Sequence, residues 1–79
     1  MYEKNNVIIG SVLKHYRKSK DITLESAASK LSKSKGWLGD IESGRNKIYF
    51  EDVIKLCRIY DVDIDEVAKM IRQESASFN

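Results

Sequence analysis

Residues 23–44 read TLESAASKLSKSKGWLGDIESG, and the helix starts and stops within them decide the fold. Thr23 is an N-cap type, whose hydroxyl accepts from an amide of the first helical turn. Behind it Leu24, Ala27, Ala28 and Leu31 recur at helical spacing. The polar stretch Ser32 to Ser34 interrupts that pattern and ends on a second N-cap candidate, Ser34. A further helix runs from about Lys35 to Ser43, with Leu38 and Ile41 inward. Gly44 stops it, in the left-handed position that glycine fills without steric cost.

Two short helices thus meet across a tight polar turn, and the small Ala27 and Ala28 let them cross closely, as a helix-turn-helix pair must. Upstream, Ile9, Val12, Leu13 and Tyr16 form one face of a helix from about Asn6 to Ser19. Downstream, Phe50, Val53, Ile54, Cys57 and Tyr60 give the stripe of a fourth helix. Asp63 with Glu66 three residues later has the form of a capping box. It opens a fifth helix carrying Ile64, Val67, Ala68 and Ile71. The reading is all-α: five helices around a single core over about residues 6–72, in one domain spanning 1–79. The polar residues 73–79 are expected to fray.

At 79 residues there is no room for a cleft that encloses a large substrate. The composition, 42% apolar and 33% charged, is that of a globular domain rather than a disordered chain. No apolar run approaches the ~18 residues of a membrane span, and residues 1–6 are too polar for a secretory signal. One cysteine, Cys57, makes no internal disulfide, and Cys57 with His15 is too few for a zinc or iron–sulfur site. A cytoplasmic domain without metal or cofactor is the expectation. His15 reads as solvent-facing or packed, Cys57 as a small core residue, and Tyr49, Phe50 and Tyr60 as core or interface. No nucleophile, base and orienting group assemble from these parts, so catalysis is not expected.

The formal net charge of +2 conceals an asymmetry. Residues 1–47 hold ten basic and five acidic side chains, whereas residues 48–79 hold four basic and seven acidic. A near-neutral chain is therefore a basic half (+5) joined to an acidic half (−3), a pattern that hints at a polyanion-binding face.

Taken together, Ile9-Gly10, Arg17, Ile22-Thr23, Ala28, Leu31, Ser34, Leu38, Ile41-Glu42-Ser43-Gly44, Phe50, Val53, Leu56 and Val62 to Val67 carry a resemblance. Across residues 8 to 68, without a gap, the chain resembles the Cro/repressor-type (XRE) helix-turn-helix family. The resemblance implies a five-helix, lambda-repressor-like DNA-binding domain whose helix-turn-helix is formed by helices two and three. It implies double-stranded DNA as the partner; no small-molecule ligand is evident from the sequence. In such a fold the third helix enters the major groove with its N-terminal residues while the second crosses the backbone.

Thr23 and Ser34 are placed to contact phosphates as well as to cap, because helix N-termini present unpaired N–H groups. The family's base-reading positions fall on Leu24, Lys35, Gly36 and Asp40. Lys35 can donate to guanine, Asp40 can accept from cytosine N4, and Leu24 can touch a thymine methyl. Gly39 and Ser43 lie on or beside the same side. Trp37 is either a core edge or a ring that packs on sugar or a thymine methyl. Arg17 and Glu42 match a pair that bridges the first helix to the end of the third and can turn the Arg toward phosphate. Arg45, Asn46 and Lys47 match a phosphate-contacting loop with exposed backbone amides.

Several positions depart from the family pattern. Gly36 has no side chain to read with, Asp40 is acidic, and Lys33 stands where an apolar turn residue is usual. Two functions follow from this mixture. One is a sequence-specific transcriptional regulator, a repressor, acting as a homodimer on a two-fold operator and paired through Val67, Met70, Ile71 and Phe78. The other is a protein-interaction module or antitoxin that keeps the fold with weak base reading.

Overall fold

The computed structural model describes residues 2–78, the side chain of Phe78 excepted. Five α-helices follow one another: α1 (Lys4–Ser19), α2 (Leu24–Lys30), α3 (Lys35–Ser43), α4 (Phe50–Ile59) and α5 (Ile64–Phe78). The described residues contain no strand, and none of their helices is long and apolar enough to cross a membrane. The all-α, five-helix expectation is met.

The core forms where the helical stripes converge. Leu13, Ala27, Ala28, Leu38, Leu56 and Tyr60 are fully buried, and α1 packs on both α3 and α5 while α2 packs on α3 and α4. Ala27 and Ala28 sit at the crossing of α2 with its neighbours, where a larger side chain would push the helices apart. The aromatic expectation divides. Tyr60 is core, but Tyr49 and Phe50 are 66% and 68% exposed, so neither joins the core.

A chain with no proline and four glycines makes its short connections by one repeated device. The amides of Ile22, Lys33, Arg45 and Val62 donate to the carbonyls of Arg17, Ala28, Asp40 and Cys57, at 3.2, 3.0, 2.9 and 3.0 Å. Each closes a helix through a left-handed residue: Asp21, Ser32, Gly44 and Asp61, with φ of 56°, 57°, 86° and 53°. This is the Schellman arrangement, which satisfies the last carbonyls of a helix. Three of the four left-handed positions are filled by Asp or Ser rather than glycine.

Two helix boundaries and one cap differ from the sequence reading. Helix α1 begins at Lys4 because the Glu3 carboxylate accepts from the Asn5 amide at 2.7 and 3.1 Å and caps it. Helix α5 continues to Phe78 instead of fraying after Gln73, in a segment without Gly or Pro to break it. The Asp63–Glu66 box does not close. Asp63 caps α5 by accepting from the Asp65 amide at 3.2 Å, and the Glu66 carboxylate accepts from the Tyr16 hydroxyl at 3.3 Å. Glu66 thereby ties α5 to α1 rather than to its own cap.

Candidate nucleic-acid interface

Helix α3 is fixed against the body of the protein by three features of its inner side. At Gly10 the backbones of α1 and α3 come into direct contact. A Cβ there would land on the carbonyl oxygen of Ile41 and 2.8 Å from that of Glu42. At the end of α3, Gly44 combines a φ of 86° with close packing on Val7, whose Cα lies 2.7 Å from where a Cβ would stand.

Between them, Arg17 of α1 grips Glu42 of α3. Its Nε and one terminal nitrogen donate to the two carboxylate oxygens at 2.7 and 3.0 Å, and the other terminal nitrogen donates to the Ile22 carbonyl at 2.8 Å. Both residues are buried. The hydrogen bonds that Arg17 donates to Glu42 hold its guanidinium pKa above the ordinary value, against the opposing effect of burial. All three guanidinium nitrogens are thus engaged inside the protein, where they tie α1 to Glu42 of α3 and to the Ile22 carbonyl.

The Tyr60 hydroxyl lies in the same interior and finds no hydrogen-bond partner among the described residues. Burial, reinforced by the charge of Glu42, pushes its pKa well above the usual phenol value.

The starts of α2 and α3 each hold their expected cap. Thr23 Oγ1 accepts from the Ser26 amide at 3.1 Å, and Ser34 Oγ accepts from the Trp37 amide at 3.0 Å. Each hydroxyl retains its own proton to donate, and both residues are exposed. Lys33, in place of an apolar turn residue, sets its Nζ 5.5 Å from the centroid of the Trp37 ring. The ammonium over the indole face supplies a cation–π contact where the usual apolar one is missing. Trp37 is half-buried and packs against the core, so its core-edge role is present in the free protein.

The outer side of α3 is sparse. Lys35, Gly36 and Ser43 are exposed, while Leu24, Gly39 and Asp40 are half-buried. Neither glycine is needed for backbone reasons. A Cβ on Gly36 would meet only Ser34 Oγ at 3.9 Å, and one on Gly39 would make an ordinary contact with Leu24 Cδ2 at 3.6 Å. Leu24, packed against the core, thus reaches over α3 beside Gly39. Ser43 donates to the Asp40 carbonyl of its own helix at 3.1 Å.

Past α3, Arg45, Asn46 and Lys47 are all exposed. The amides expected to be open in this loop are partly used: those of Arg45 and Asn46 both donate to the Asp40 carbonyl, at 2.9 and 3.3 Å, and close the helix. Arg45 is itself held. Its Nε donates to the Tyr2 hydroxyl at 3.3 Å and lies 3.8 Å from an Asp40 carboxylate oxygen. The Tyr2 hydrogen bond, with the Asp40 charge, raises the Arg45 pKa. Tyr2 has no counterpart in the sequence reading, because nothing in spacing links residues 43 positions apart.

Of the ten basic side chains in residues 1–47, nine are exposed and only Arg17 is buried. The cationic surface therefore survives folding. The residues expected on the pairing surface fare differently. Val67 is 1% exposed and belongs to the protein's own core, so it cannot also face a second molecule. Met70 and Ile71 are half-buried against that core, and the Phe78 side chain lies outside the described residues.

An α2–turn–α3 unit with capped helix starts, carried by three further helices, defines a helix-turn-helix domain. Residues 8–70 match the family described as a helix-turn-helix domain, and the chain belongs to that family. In fold it is similar to the clp gene regulator ClgR from Corynebacterium glutamicum, in two crystal structures. One superposes with a TM-score of 0.87 at 22% identity, over 96% of this chain and 81% of that one. The other gives 0.84 at 22% identity, over 91% and 94%. No curated protein matches the chain.

Proposed function

We propose that the protein is a sequence-specific DNA-binding transcriptional regulator, a repressor, that acts as a homodimer on a two-fold operator. The observation that carries this reading is the contrast between how firmly α3 is held inside and how openly its start is presented outside. Gly10, Gly44 and the Arg17–Glu42 pair fix the inner side, while the Ser34 hydroxyl and the Lys35 ammonium stand exposed at the start of α3, and the Thr23 hydroxyl at the start of α2. A reading helix must be rigid relative to the phosphate-contacting parts, because phosphate contacts set the register in which bases are read.

In this reading Thr23, Ser34, Arg45, Asn46 and Lys47 contact phosphates. Lys35, Asp40, Leu24 and Trp37 lie along base edges, Gly36 and Gly39 let the helix backbone approach, and Ser43 borders the contact. The partner is double-stranded DNA, with no cofactor, small-molecule ligand or catalysis, and the compartment is the cytoplasm. The likeness in fold to a gene regulator supports the regulatory role. A single reading helix covers few base pairs, so specificity comes from two half-sites about one helical turn (~34 Å) apart.

The test is a titration of random duplex DNA at several salt concentrations, followed by selection of bound duplexes from a random pool. A steep negative slope of log affinity against log salt is expected for a phosphate binder, with a palindromic consensus from the selection. No binding at low salt sinks the proposal. The second reading, an interaction module or antitoxin, draws on the side-chain-free Gly36 and Gly39 and the acidic Asp40. It is favoured if a partner protein co-purifies while the salt slope is flat.

A further inference from the structure

We infer that the homodimer pairs through the open apolar groove between α4 and the start of α5, with a second copy of this chain as its occupant. This rests on the homodimer reading above and relocates the pairing surface from the outer face of α5. Phe50, Ile54, Val62 and Ile64 line the groove, which has a volume of about 570 Å³ with the buried Cys57 at its floor. Charged side chains of both signs, Arg58, Asp61 and Asp63, are exposed at its rim.

An interface built on a two-fold axis must be complementary to itself, because the same patch appears on both sides. This patch has both halves of such a fit. Phe50 is a projecting knob, the most exposed large apolar side chain described, and the groove beside it is an apolar hole. Tyr49, also largely exposed, extends the apolar surface. The charges match in the same way: Arg58 of one copy faces the aspartates of the other, and the converse pairing follows by symmetry.

A partner of a single strong charge would meet repulsion from one side of that rim. A second copy meets attraction from both. DNA in particular is disfavoured here, since the groove lies in the acidic half of the chain. The location also suits the task. None of the residues that line the groove belongs to α2 or α3, so pairing there engages neither helix of the helix-turn-helix.

The decisive experiment measures association by sedimentation for the wild type, Phe50→Glu, Arg58→Glu, Asp61→Lys and an equimolar mixture of the last two. Glutamate suits the first turn of a helix, so Phe50→Glu keeps its helix content, checked by circular dichroism. Its dimer affinity is expected to fall at least about tenfold, the order of an interface hot spot. Each charge reversal alone places like charges across the axis twice and weakens pairing. The mixture restores it, because in a mixed dimer residue 58 of each copy again meets the opposite charge at residue 61 of the other. If the wild type dimerises and all variants dimerise equally well, the groove assignment is overturned and the homodimer reading stands. If the wild type remains monomeric both free and on a duplex carrying two half-sites, the homodimer reading falls and this inference falls with it.

Discussion

Helix α3 meets glycine on two sides for opposite reasons. Its inner side meets Gly10 and ends on Gly44, two positions where a single added carbon collides with backbone. Its outer side holds Gly36 and Gly39, where the same carbon meets nothing closer than 3.6 Å. The inner pair serves placement, the outer pair leaves the outer side of the helix bare. A structure can thus separate two meanings of glycine that a sequence presents alike: one imposed by packing, the other left to whatever the surface contacts.

The most forceful way to break the inner side is to strand a charge there. Arg17→Met leaves the Glu42 carboxylate buried without its partner and is expected to cost about 3–5 kcal/mol. Denaturant unfolding measures this, and the further substitution Glu42→Leu should recover most of the loss. Gly10→Ala comes next. Backbone carbonyls cannot swing aside as side chains do, so the overpacking cost is expected at about 3 kcal/mol, the upper end of the usual range. A shift in thermal midpoint of only a degree or two would show that α1 and α3 separate more easily than their contact implies.

On the outer side the sign reverses. Gly36→Ala and Gly39→Ala are each expected to stabilise the fold by up to about 1 kcal/mol, the helix-propensity difference. Measuring duplex affinity on the same variants sharpens the contrast. A stabilised protein with weakened DNA binding assigns these glycines to close backbone approach; unchanged binding leaves them without a reading role.

A comparable effect concerns the interior beside the ion pair. Tyr60→Phe removes a buried hydroxyl that has no partner among the described residues, so its uncompensated desolvation is relieved and stability near neutral pH is expected to rise by about 1 kcal/mol, the lower end of that penalty. In alkali the two proteins should diverge. Burial raises the folded-state pKa of Tyr60, whereas an unfolded tyrosine loses its proton near pH 10. Its contribution is therefore intact below about pH 10 and is lost as pH rises through the folded pKa, because the unfolded state then binds fewer protons. The wild type should lose more stability than Tyr60→Phe as pH rises above 10 in urea titrations.

The fold was legible because its signals are local. Thr23 and Ser34 as caps, Gly44 as a stop and the helical spacing of Leu38 and Ile41 all act within a turn of the chain. The pairing of Arg17 with Glu42 rested on the family resemblance, since neither spacing nor composition selects one carboxylate among twelve. What stayed hidden depends on distant geometry. The close approach at Gly10 exists only once α1 and α3 pack, and the Tyr2–Arg45 contact spans 43 positions. Phe50 continues the periodic stripe of α4 yet lies beyond the edge of the core it would join. Glu66 had two possible partners, its own cap and Tyr16, and only the three-dimensional arrangement decides between them.

Trp37 gives the protein an optical readout of its own. It is the only tryptophan in the chain, half-buried on α3 beneath the Lys33 ammonium. Indole emission responds to nearby charge and to exclusion of water, and both change if a duplex settles against this helix or draws Lys33 toward a phosphate. Association can then be followed without a label, from the helix on which the sequence-reading proposal depends.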